Sequence, residues 1–142
     1  MRGLVLSALA ASLLAMPAMA ADITISDGWF RALPAGLPSG GYFTLHNGGA
    51  DTVTLTGASS PACAMLMLHK TADMNGMSSM GDVASIPVVA GDTLKFAPGG
   101  YHLMCMNPTA AMRPGTKVAV TLEFAGGTKI SSDFAVKDAK GK

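Results

Sequence analysis

Between residues 23 and 136 the apolar positions either alternate with polar ones or gather in short runs, and no stretch holds a 3.6-residue apolar period for three turns. The runs are rich in Val, Ile, Thr and Phe, and clusters of Gly, Pro, Asn and Asp separate them, so the pattern is all-β. It predicts strands over Ile23–Phe30, Gly41–His46, Thr52–Gly57, Ala64–Lys70, Val83–Val88, Thr93–Phe96, Tyr101–Met106, Lys117–Phe124 and Lys129–Val136. Turns fall at Asn47-Gly48-Gly49, Ala90-Gly91-Asp92, Pro98-Gly99-Gly100, Arg113-Pro114-Gly115 and Gly126-Gly127, all residue types that enter tight turns readily. Short strands at near-regular spacing suit a single-domain β-sandwich with Greek-key links.

Side chains alternate between faces along a strand, and that count singles out two segments. In Ala64–Lys70, Met65, Met67 and His69 share one face, with Leu66 and Leu68 on the other. A strand apolar on both sides is expected in the middle of the sandwich. In Tyr101–Met106 the same count sets His102, Met104 and Met106 on one face and Leu103 and Cys105 opposite. Asn75-Gly76 predicts a turn that folds the loop between His69 and Met80 back on itself.

The chain ends change the picture in one respect. Met1-Arg2, the uncharged apolar run Leu4 to Met16 and the small-residue site Ala18-Met19-Ala20 make a secretory leader over residues 1–20. A membrane span is the competing reading, but the run is shorter than the roughly 20 residues a span needs. The expected organisation is a leader over 1–20, one domain over 21–137 and a short frayed tail over 138–142, in an exported, periplasmic, monomeric protein. Loss of Arg2 with the leader leaves nine Lys plus Arg against nine Asp plus Glu, a formal charge of zero. A neutral surface carries no electrostatic footprint for nucleic acid.

Candidate chemistry concentrates between His69 and Met104. His69, Met80, His102 and Met104 are two imidazoles and two thioethers, with Asp73 and Asp82 the nearby carboxylates. Such a soft, neutral set suits Cu(I), whereas Mg, Ca and Mn sites want oxygen and structural Zn sites usually include thiolates. Thioethers do not titrate, and they favour the reduced ion over Cu(II). No catalytic base, nucleophile or phosphate-cradling glycine loop stands out, so an enzyme is not expected.

The spacing His69-x10-Met80-x21-His102-x-Met104, with GGYHLMCM around the second histidine, resembles the periplasmic PCu(A)C copper chaperone family. The likeness extends through DGWFRA, GGYFTLHNGG, GASSPA and RPGTKVAVTLEF. It implies a cupredoxin-like fold, one Cu(I) per chain held by those four residues, and delivery to an acceptor, either the binuclear copper centre of cytochrome c oxidase or another periplasmic copper protein. A second periplasmic copper chaperone is a further expected partner. The alternatives are a blue-copper-like electron carrier, which needs a His2Cys site, and a copper store or scavenger.

Other candidates have plainer readings beside them. Met74 and Met77 are either transient copper ligands or solvent-side loop residues, while Met65, Met67, Met106 and Met112 are expected in the core or lining the site. His46 is expected at the surface, and Trp29 and Tyr42 buried in the sandwich. Cys63 and Cys105 suggest a disulfide by export and even count. Yet they stand six residues before His69 and three after His102, an offset of about 10 Å at strand rise, so pairing needs a bulge near Pro61 or Ala62. Two buried thiols, or Cys105 beside copper, remain the other readings.

Overall fold

The computed structural model describes residues 22–74 and 77–142. The leader and the Asn75-Gly76 turn lie outside the described residues. Within them the chain forms strands β1 (Ile23–Arg31), β2 (Ser39–Asn47), β3 (Val53–Ser59), β4 (Cys63–Met74), β5 (Met77–Asp82), β6 (Ile86–Val88), β7 (Thr93–Phe96), β8 (Tyr101–Pro108), β9 (Lys117–Phe124) and β10 (Lys129–Lys137), with one 3-10 turn at Pro34–Gly36. None of these elements is a helix long and apolar enough to cross a membrane.

Hydrogen bonding follows the order β5-β4-β8-β2-β1-β10-β9-β3-β6, and β7 pairs with β2. The path folds over one core because β2 changes partner along its length: Ser39–Gly41 pair with β8, and Phe43–His46 pair with β7. A bulge in β1 between Ser26 and Trp29 adds a second bend, where Asp27 adopts a left-handed backbone (φ 55°). Gly28 follows it because the Phe134 ring lies where a side chain would begin. Beyond the bulge β1 runs parallel to β10, Trp29–Arg31 beside Ala135–Lys137. The result is the expected all-β Greek-key sandwich.

Inward positions fill the core with rings and branched chains. Phe43 packs 4.4 Å from Phe96 and 5.7 Å from Phe134 between ring centroids, and Phe30 stands 5.6 Å from Phe134. β9 buries Val118, Val120, Leu122 and Phe124 and turns Lys117, Ala119, Thr121 and Glu123 outward, the period-two pattern of a strand with one wet face. His46 is exposed, its Nδ1 3.0 Å from Thr93 Oγ1.

Several expectations need correction. The segment between His69 and Met80 is a hairpin and no loop: β4 continues to Met74, and β5 returns antiparallel with Thr71 opposite Met80 and His69 opposite Asp82. Ser, Gly and Met carry weak strand signals, and paired backbone rather than a buried face holds the arms. The predicted strand Val83–Val88 shrinks to β6 at Ile86–Val88. β4 does not lie in the middle of the path but one place from its end, and it is buried on one face only. Leu66 and Leu68 face the core, while Met65 is 58% exposed and not a core residue. Met67 and Met106 are half-buried, and Met112 is buried. Tyr42 is buried, but Trp29 is only half-buried. The Trp29 ring lies 4.8 Å from Tyr42, with Arg31 and Lys137 over it at 5.5 and 4.8 Å. Residues 138–142 close a turn in which Asp138 Oδ1 accepts from the backbone N–H groups of Lys140 and Lys142.

Cys63 and Cys105 form a disulfide with a Cα–Cα separation of 5.4 Å. The register is the one that made pairing look awkward: Cys63 stands opposite Pro108, and Cys105 opposite Leu66. Both strands bend to close the gap. Asn107 takes a left-handed backbone (φ 47°) and turns the end of β8. Across from it the Ser60–Cys63 turn is closed by a 3.2 Å bond from Cys63 N–H to the Ser60 carbonyl. Thr109 N–H then donates to the Ala62 carbonyl at 2.9 Å and seals that end.

The bridge closes a sequence separation of 42 residues. Loop-closure entropy for such a span contributes about 4 kcal/mol in the chain-entropy model. A Cys63→Ser plus Cys105→Ser variant should therefore unfold about 4 kcal/mol more easily in a denaturant titration. A loss below about 1 kcal/mol would show that the bends alone hold the register.

Candidate metal centre

The register of β4 on β8 assembles the site. His69 stands directly opposite His102, Met67 opposite Met104 and Met65 opposite Met106, all on one face. Between them in sequence, Leu66, Leu68, Leu103 and Cys105 point the other way and are buried. The imidazoles of His69 and His102 meet edge to face with centroids 5.6 Å apart. Met80 joins from β5, where it lies opposite Thr71, two residues beyond His69.

Met80, His102 and Met104 line one hollow of about 260 Å³, together with Thr71, Tyr42 and Arg31. His69 does not line the hollow and reaches the group through its ring edge against His102. One wall is opened by Gly40, which stands opposite Met104. A Cβ there would come within 2.8 Å of the Tyr42 hydroxyl. Among the described residues no three His, Cys, Asp or Glu side chains cluster as a metal site, so any metal held here depends on the thioethers.

The two histidines differ in setting. His102 is 5% exposed, and its Nδ1 lies 3.2 Å from the Gly100 carbonyl oxygen. A carbonyl only accepts, so Nδ1 carries a proton, and in the neutral ring the lone pair then lies on Nε2. That Nε2 is buried and has no hydrogen-bond partner among the described residues. A buried imidazole oriented through one nitrogen, with the other left bare, has a lone pair available to a metal. His69 Nε2 lies 2.7 Å from Asp82 Oδ1. The approach is close enough for an ion pair but not aligned as a hydrogen bond, and both His69 ring nitrogens lack an aligned partner among the described residues.

Met80 is 59% exposed, more open to solvent than the other three candidate ligands. Met77 is more exposed still, at 75%, and does not line the hollow. Cys105 is excluded from the donor set, because it faces the core and is bonded to Cys63.

Arg31 and Tyr42 were not read from sequence as parts of the site. The Arg31 guanidinium lies 5.5 and 5.8 Å from the Trp29 and Tyr42 rings, close enough for cation–π attraction, and its Nε is buried without a partner among the described residues. The available signal was the alternation in Trp29-Phe30-Arg31, which puts Arg31 on the face opposite the core residue Phe30.

The LpqE-like family profile matches residues 23–136. The chain belongs to the LpqE-like family. It is 35% identical over 127 residues to "Putative lipoprotein Lxx21020" of Leifsonia xyli subsp. xyli, covering 88% of this chain and 76% of that protein. Solved structures share the fold of this LpqE-like domain. The copper-bound PCuAC domain from PmoF2 superposes with a TM-score of 0.67 at 21% identity, over 82% of this chain and 92% of that one. The Cu(I) form of DR1885 from Deinococcus radiodurans superposes with a TM-score of 0.63 at 26% identity, over 89% and 83%.

Asp82 tests how much of this geometry is structural. Its side chain is 72% exposed, and an exposed pair of this kind contributes about 0–1 kcal/mol. Asp82→Asn should leave the unfolding free energy within about 0.5 kcal/mol while shifting the His69 ring resonances in an NMR spectrum. Unmoved His69 resonances would show that the carboxylate does not hold the ring in solution.

Proposed function

We propose that this LpqE-like protein is an exported copper chaperone that binds one Cu(I) per chain through His69, Met80, His102 and Met104 and passes it to an acceptor. The observation that carries this reading is the bare, buried Nε2 of His102, held by Gly100 and facing its partner histidine beside two thioethers. Two imidazoles and two thioethers form a set whose softness matches Cu(I). The positive charge of Arg31 on the hollow's wall disfavours a dication more than a monocation, which acts in the same direction. Copper-bound and Cu(I)-bound relatives with the same fold add support. Export is supported by the lipoprotein naming of the Leifsonia relative together with the leader pattern in residues 1–20.

Transfer would proceed by ligand exchange. His102 and Met104 sit on a strand whose other face is locked in the core, so they hold the ion in place. Met80, exposed on the hairpin, is the donor an incoming group displaces first. Deprotonated sulfur is the stronger donor to a soft cation, so copper would run downhill to a reduced dithiol such as the oxidase copper centre. A blue-copper electron carrier would need a thiolate, and both cysteines are consumed in the disulfide.

X-ray absorption on the Cu(I)-loaded protein should give nitrogen and sulfur neighbours only, at one copper per chain. Met80→Ala plus Met104→Ala should weaken binding at least a hundredfold, about 2.7 kcal/mol. Oxygen-dominated coordination, or full-strength binding by that variant, would overturn the ligand set. Mixing with a reduced dithiol acceptor domain should move copper across, and oxidising the acceptor's cysteines should stop it. Copper that stays despite excess reduced acceptor would make the protein a store or scavenger.

A further inference from the structure

The soft-donor face does not end at the four proposed ligands. Below His69 and His102 come Met67 opposite Met104, and then Met65 opposite Met106, so the outer face of β4 and β8 is an unbroken ladder of six sulfur or imidazole side chains. Directly opposed residues on one face have Cβ atoms about 4.5–5.5 Å apart, and successive rungs lie about 7 Å apart along the strands. Met65, Met67 and Met106 are therefore three thioethers on neighbouring rungs, outside the four-residue set.

Their setting is unlike that of core methionines. Met65 is 58% exposed, and Met67 and Met106 are half-buried. The corresponding outward positions of β9 are Lys117, Ala119, Thr121 and Glu123, the mixed surface expected of a wet sheet face. Where the outward face of β9 carries polar and small side chains, the shared outward face of β4 and β8 carries only thioethers and imidazoles over the three rungs from Met65–Met106 to His69–His102. Fold stability does not ask for them, because the core side of the same strands is already filled by Leu66, Leu68, Leu103 and the disulfide.

We propose that Met65, Met67 and Met106 form a second, weaker site for a soft monovalent cation, Cu(I) or its redox-silent analogue Ag(I), contiguous with the first along the sheet face. Thioether sulfur is neutral and polarizable, so three such donors select a soft monocation and offer little to Mg, Ca or Zn. With no imidazole, the lower site binds less tightly than the upper one. Met67 stands opposite Met104 and next to both rungs, so an ion can pass between the sites by exchanging one thioether at a time.

The test is an Ag(I) titration of the folded protein carrying 13C-labelled methionine methyl groups, read by NMR. The first equivalent should shift the Met80 and Met104 methyls, and the second those of Met65, Met67 and Met106. Met65→Leu plus Met106→Leu conserves volume and hydrophobicity, so the fold is retained. It should weaken the second equivalent at least tenfold and leave the first unchanged. If the four-residue site is misassigned, the first equivalent will not move Met80 and Met104, but the second will still move Met65 and Met106, so the two readings fail separately. The proposal is overturned if no second equivalent binds, if the leucine variant binds it as tightly as the parent, or if it settles at Met74 and Met77 instead.

Discussion

Everything at the candidate metal centre depends on the antiparallel register that sets residue 69 against residue 102. A slip of one residue would turn His102 and Met104 into the core and bring Leu103 and Cys105 to the surface. The core side of the strands prevents it. Leu68 and Leu103 stand opposite one another and are 4% and 0% exposed, and burying each contributes roughly 2 kcal/mol. The disulfide adds a covalent stop at the far end, in a place where both strands must bend to accept it. The donors themselves contribute little to the fold. They are held in place by what lies behind them.

That division of labour explains why the site can leave a polar atom unsatisfied. A buried nitrogen without a partner costs about 1–3 kcal/mol, and an ordinary surface or core histidine would relax to avoid it. His102 cannot, because its ring is tethered through Nδ1 to Gly100 and its backbone is fixed between β4 and β2. His69 faces a softer restraint, an exposed carboxylate that a metal can displace at little cost. The pair thus combines one fixed imidazole with one that can yield.

Much of this was legible in the sequence. The His-x-Met spacing on one strand placed two candidate donors on one face through nothing more than the two-residue period, and the buried Leu66, Leu68 and Leu103 were on the predicted side. What could not be read was longer in range. The hairpin arm carrying Met80 has no hydrophobic alternation, because none of its described side chains is buried, so its strand character comes from backbone pairing with β4 alone. The disulfide looked strained from strand arithmetic because a left-handed asparagine at 107 is invisible to a count of residues. Arg31 entered the site because a bulge within β1, between Ser26 and Trp29, shifts the alternation and sets Arg31 on the face opposite Phe30, and a bulge leaves only the faint mark of Asp27-Gly28.

Gly40 lies opposite Met104 and contributes no side chain to the wall it occupies. That bare strip of backbone is a doorway, and its width is set by one residue that donates nothing to the ion. In a metal carrier, how fast cargo changes hands and how tightly it is held are separate quantities, the first governed by access and the second by donors. Position 40 bears on access, through the space it leaves beside Tyr42 and Met104. Any side chain there would meet the Tyr42 hydroxyl within 2.8 Å, so the opening exists only because residue 40 has no Cβ.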